Sequence, residues 1–147
     1  MAYTNALSAY RNTKITTASG GQLVIMLYDT AIKHLEHGLD LLSAHINGKP
    51  NPQNIEQISR SILKAQEIIA ELTASLDMDQ GGDIAKNLFS LYTWFNHELL
   101  EANINQDIRR MTIIRNMMSE LRGAWYEITG KTQAVPGRTA SGVNIAG

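Results

Sequence analysis

Four histidines and fourteen carboxylates are the groups in this 147-residue chain best suited to chemistry, and their spacing supports little of it. His97-Glu98-Leu99-Leu100-Glu101 begins like a helical zinc-binding motif, but Glu101 stands where the second imidazole would have to be. A carboxylate-bridged metal bundle needs Glu-x-x-His pairs pointing inward from two helices, and no Glu here is followed three residues later by His. There is no cysteine, which removes disulfides, thiolate nucleophiles and thiolate metal sites together. No nucleophile elbow, Walker loop or dinucleotide fingerprint occurs. Gly20-Gly21 and Gly81-Gly82 are isolated pairs that turn chemistry explains. The chain is expected not to be an enzyme and to use no cofactor and no metal.

One constellation supplies an alternative. His34-Leu35-Glu36-His37-Gly38 loosely resembles the His-x-x-Lys-Gly of histidine phosphotransfer bundles, where an exposed imidazole carries phosphate beside a Lys that offsets its charge. The Lys is missing here, so this reading rests on an exposed His34. His34, His37 and His45 also lie near one edge of a helix beside Met26 and Thr30, where solvated or edge-packed rings explain them more simply than a metal. Arg109, Arg110, Arg115 and Arg122 fall along one polar side, a solvated face or a surface for an acidic partner.

Thirteen Lys plus Arg against fourteen Asp plus Glu leave a net charge of -1. That balance gives no basis for wholesale capture of nucleic acid or anionic membrane. The longest apolar run, Leu23 to Tyr28, is far too short to span a bilayer. The opening residues lack the apolar core of a signal peptide. A cytoplasmic protein with no membrane insertion is expected.

The elements that would position a site follow from punctuation. A hydrophobic content of 44% suits a folded chain. The length fits one domain burying about two-thirds of its extended surface. Ser19 and Gln22 have capping-box spacing, and Asn47-Gly48 is a stop, predicting a first helix over 19–47. Asn51-Pro52 supplies an N-cap and a Pro at the first helical position, opening a helix over 52–77. Asp83 opens a third over 83–103. Asn105, with Asp107 in the first turn, starts a fourth over 106–129, ended by Thr129-Gly130. Short connections favour antiparallel neighbours, so the predicted fold is an all-α, up-down four-helix bundle spanning 19–130. Residues 1–18 form a polar N-terminal segment, and 131–147, rich in small residues, a disordered tail.

Three of these helices are wider in apolar surface than a bundle seam requires. Segments 19–47, 83–103 and 106–129 carry apolar side chains over roughly half the circumference, where a stripe of a little over about 100° suffices. On the third helix Ile84, Leu88, Leu91, Tyr92, Phe95, Leu99 and Ala102 share one face, Phe89 and Leu100 extend it sideways, and Trp94 falls on the polar side. On the fourth, Ile113, Met117 and Ala124 widen the stripe of Met111, Ile114, Met118, Leu121 and Trp125. Ile25, Ile32 and Leu39 widen the first. Packing against a neighbouring helix accounts for any one of these residues. Three helices together point to a surface for another protein, or for self-association as a homodimer. Methionine suits such adaptable contact.

Three blocks carry a family resemblance: Ala9-Tyr10; Thr17-Ala18-Ser19 with the run Gln22 to Asp29; and Gly81-Gly82-Asp83-Ile84-Ala85-Lys86-Asn87-Leu88 leading through Leu91-Tyr92 to Leu99-Leu100-Glu101-Ala102-Asn103. In order, and with Trp125, they resemble the FliS flagellin export chaperones. The resemblance implies an antiparallel four-helix bundle that binds the C-terminal disordered region of flagellin in the cytoplasm. It further implies that the family prevents premature polymerisation and presents flagellin to a component of the flagellar type III export gate. A client of this kind would fold onto its holder as amphipathic helices.

The resemblance also implies that the N-terminal segment is mobile and contributes to client binding through Leu7 and Tyr10. Together with the surplus apolar positions, the candidate flagellin-binding residues are Leu7, Tyr10, Ile25, Phe89, Leu100, Asn103, Ile113 and Met117. Asn103 could bond a client backbone group or cap its own helix. The family usually has Pro after the Ser that opens helix one. Gly20-Gly21 stand here instead, and a looser first turn is expected.

Overall fold

A computed structural model describes residues 20–48 and 51–134. Helix α1 spans Gly20–Asn47, α2 Pro52–Ala74, α3 Gly82–Asn105 and α4 Ile108–Ala134. Helix α1 packs on α2 and α4, and α3 packs on the same two from the opposite corner. The expected all-α bundle is therefore the observed one, with α1 and α3 on one diagonal.

The helix ends show why the chain breaks where it does. Asn51 is extended (φ -135°, ψ 118°), its side chain accepts from Gln53 N–H at 2.9 Å, and Pro52 follows at the first turn. Between α2 and α3, Asp77 Oδ1 accepts from the N–H groups of Asp79 and Gln80, and its carbonyl from Gly81. Gly82 then takes φ +60°, a left-handed conformation that glycine adopts without Cβ strain.

Four predicted boundaries are corrected. Helix α2 ends at Ala74 rather than at 77, and Asp77 instead shapes the turn that leads into α3. Helix α3 continues past Asn103 to Asn105 and ends at Gln106, whose φ of 55° turns the chain. Asp107, rather than Asn105, caps α4, its Oδ1 accepting from Arg109 and Arg110 N–H at 3.1 and 3.2 Å. Helix α4 also runs through Thr129-Gly130 to Ala134, four residues into the stretch read as a tail. Trp125 and Thr129 are buried there, and the Thr129 hydroxyl donates to the Trp125 carbonyl at 2.8 Å, so tertiary packing carries the helix past the glycine. The capping role read for Ser19 lies outside the described residues.

The core is apolar, built from Val24, Leu35 and Leu42 of α1, Ile58, Ile62, Ile69 and Leu72 of α2, Tyr92, Phe95 and Leu99 of α3, and Met111, Ile114, Met118 and Trp125 of α4. Burial of this kind contributes about 1.5–3 kcal/mol per large side chain. A Cβ on Gly38 would sit 3.2 Å from Ser61 Cβ and 2.6 Å from Met111 Cε, so α1 approaches closely at that point.

Candidate functional site

Polar side chains close three seams of the bundle, and they identify the flanks of its helices. Between α1 and α4, Arg122 grips Asp29 with two bonds of 2.8 and 3.3 Å, and Arg115 binds Glu36 through both Nε and Nη2. Arg122 also lies 5.3 Å over the Tyr126 ring. Between α3 and α4, Arg110 reaches Glu98 at 3.1 Å. Three of the four arginines read as a polar face thus serve the fold.

The α2–α3 seam carries amides instead of charges. Gln66 Nε2 donates to the Asn96 carbonyl at 3.0 Å, and Asn96 Nδ2 donates back to the Gln66 carbonyl at 3.2 Å. Asn103 Nδ2 donates to Ser59 Oγ at 3.1 Å. Asn103 therefore neither caps its helix nor stands free; its amide is engaged inside the seam.

These partners locate the surplus apolar residues. Leu100 lies four residues after Asn96 and Phe89 seven before it, so both stand on the flank of α3 that faces α2. They are 47% and 45% exposed. Leu63, between Ser59 and Gln66 on α2, is 52% exposed on the same side and was missed as a candidate, because it falls outside the clean core stripe of its helix. On the other flank, Ile113 and Met117 follow Arg110 by three and seven residues, and Trp94 precedes Glu98 by four. Ile113 and Trp94 are exposed, while Met117 is half-buried against the core. The Trp94 ring rests 5.9 Å from that of Phe95. The candidates thus form two apolar strips, one on each flank of α3.

Ile25 is corrected to the core, with 9% of its surface exposed, and Ile32 and Leu39 pack against that core. All three lie beside Asp29 and Glu36, on the flank of α1 that meets α4, so ordinary helix packing explains the wide arc of the first helix. Leu7 and Tyr10 lie outside the described residues.

His34 is half-buried on α1. Burial, followed by the charges of Lys64, His37 and Lys33, lowers its pKa below the usual imidazole value and favours the neutral ring. Among the described residues no three His, Asp or Glu side chains are grouped to hold a metal ion. No described helix is long and apolar enough to cross a membrane.

A four-helix bundle with apolar strips exposed on both flanks of one helix is built for contact with other proteins. The family model for the flagellar protein FliS matches residues 3–132, and the chain belongs to that family of flagellar secretion chaperones. The FliS chaperone of Vibrio cholerae is 32% identical over 129 residues, covering 84% of this chain and 88% of its own length. That of Salmonella typhimurium is 32% identical over 119 residues, with 80% and 82% covered. The Bacillus subtilis chaperone shares 25% over 127 residues, with 86% and 88% covered.

Proposed function

We propose that this chain binds the disordered C-terminal segment of flagellin on the two strips beside α3, as an ATP-independent holder without a cofactor. It acts in the cytoplasm, prevents premature polymerisation and delivers flagellin to a component of the type III export gate. The observation that carries this reading is the exposure of Phe89, Leu100 and Leu63 on one flank and of Trp94 and Ile113 on the other. A disordered client must offset the entropy of ordering, and extended apolar contact is the means. Met117 offers an adaptable edge to the second strip. Leu7 and Tyr10 would add contacts from the N-terminal segment, and Asn103 would act from within the seam through its bond to Ser59.

Chemical-shift mapping on the full chain tests the assignment. On adding the flagellin C-terminal segment, resonances of Phe89, Leu100, Ile113 and Trp94 should move, while those of Ile32 and Leu39 stay. Shifts confined to α1 would contradict it. Sedimentation of the free chain over the same concentrations should show a monomer; a dimer that covers the strips would assign them to self-association.

A further inference from the structure

The amides between α2 and α3 sit oddly beside the aliphatic core they border. Ser59 to Gln66 and Asn96 to Asn103 are both steps of seven residues, so the two rungs stand two helical turns apart on antiparallel helices. A further step of seven reaches Thr73 on α2 and Phe89 on α3. In the Gln66–Asn96 rung each side chain bonds the main-chain carbonyl of the opposite helix, so both amides are drawn down into the seam. The stretch between them and Phe89 carries Glu67 and Ala70 of α2 and Thr93 of α3 on the outer side, all exposed. Leu63 and Leu100 rise at one end and Phe89 at the other, eleven residues from Leu100 or roughly 16 Å along the helix.

Stability alone does not explain this rung. Replacing both partners of a hydrogen-bonded pair by apolar groups of similar shape is often neutral or stabilising. Asn96 Oδ1 is moreover enclosed without a hydrogen-bond partner among the described residues, a penalty that an aliphatic side chain would avoid.

We propose that Gln66 and Asn96 are positioning residues for the client, holding the α2–α3 seam as a low groove of fixed width between Leu63/Leu100 and Phe89. The inference rests on the client reading above. An aliphatic pair at these positions would pack together, fill the seam and remove the bed in which an amphipathic helix lies.

The test uses full-length chains and the flagellin C-terminal segment as the probe. Three variants are compared with wild type: Gln66→Leu/Asn96→Leu, the swapped rung Gln66→Asn/Asn96→Gln, and Phe89→Asp. The leucine pair should melt at or above the wild-type temperature yet bind at least tenfold more weakly, and the swapped rung should keep affinity within about threefold. A leucine pair that melts lower or does not fold would show the rung to be a stability device and overturn the proposal. Unchanged affinity of the leucine pair, with binding lost in Phe89→Asp, would overturn the proposal and leave the client reading intact. Failure of the wild type to bind would overturn both.

Discussion

The phenolic oxygens of Tyr28 and Tyr92 meet 2.6 Å apart in the middle of the core, joining the diagonal helices α1 and α3. The Trp125 indole donates to the same Tyr28 oxygen, so α4 is drawn into the contact. The rings of Tyr28 and Tyr92 are tilted at 57° with centroids 6.4 Å apart. Polar groups this deep hold the bundle to one register, because any slip leaves hydroxyls unpaired in apolar surroundings.

Removing one hydroxyl should cost more than its share. Tyr28→Phe should lower stability by about 1–3 kcal/mol, since the groups it served are left in a dry core. The double variant Tyr28→Phe/Tyr92→Phe should lose less than the sum of the single changes. Denaturant unfolding of the four proteins in a double-mutant cycle checks this, and strict additivity would contradict it.

The same burial sets an alkaline limit. Desolvation first, and then the charge and hydrogen bond of Tyr92, raise the Tyr28 pKa well above its ordinary 10.0. A raised pKa means that the unfolded chain ionises first. The contribution is therefore complete below about pH 10 and is lost as pH rises towards the folded value. Unfolding free energy measured across that range should fall in the wild type, and less steeply in Tyr28→Phe.

Gln106 turns α3 into α4 at φ 55°, a conformation that costs a side-chain-bearing residue and suits glycine. Its Oε1 is also enclosed without a partner among the described residues. Gln106→Gly should raise stability by about 0.5–1 kcal/mol by thermal unfolding, despite loss of the 3.2 Å bond from its amide to the Asn103 carbonyl. A lower melting temperature would contradict this account of the turn.

Neighbouring phenylalanines should separate binding from folding. Phe89→Asp should keep its helicity and weaken client binding more than tenfold, the equivalent of about 1.5–3 kcal/mol for one apolar side chain. Phe95→Ala, fully buried, should instead lose about 3–5 kcal/mol of stability. Circular dichroism melts beside binding isotherms read both effects.

The surface arginines should matter less. Arg122→Ala removes the 2.8 Å contact to Asp29, but both partners are partly solvated, so the loss should stay under about 1 kcal/mol and shrink in molar salt. A larger, salt-insensitive loss would place that pair among the determinants of the fold.

Much of the fold was legible because it rests on local rules. Asn51-Pro52 announces its helix by chemistry alone, and the period from Ile55 to Leu76 marks the buried face of α2, although Ile55 itself stands exposed. The ends of α3 and α4 were less legible because they are tertiary outcomes: Gln106 accepts a left-handed turn, and buried Trp125 and Thr129 carry α4 past Gly130. The candidate site was legible as a quantity of apolar surface but not as a place. Every helix in this arrangement has two neighbours, so a wide arc is partly what packing requires. Ile25 and Ile113 look alike on a wheel, yet one lies against α4 and the other stands in solvent. Gln66 and Asn96 carry no signal of their own in the sequence, because each bonds a main-chain carbonyl of the opposite helix and so depends on how α2 meets α3.

Calorimetric titration of the full chain with the C-terminal segment of flagellin from the same organism tests the central claim most directly. Submicromolar binding with a large negative heat-capacity change is predicted, as a disordered client folds onto the apolar strips beside α3. Absence of binding at tens of micromolar would contradict the proposed function while leaving the bundle and its family membership in place.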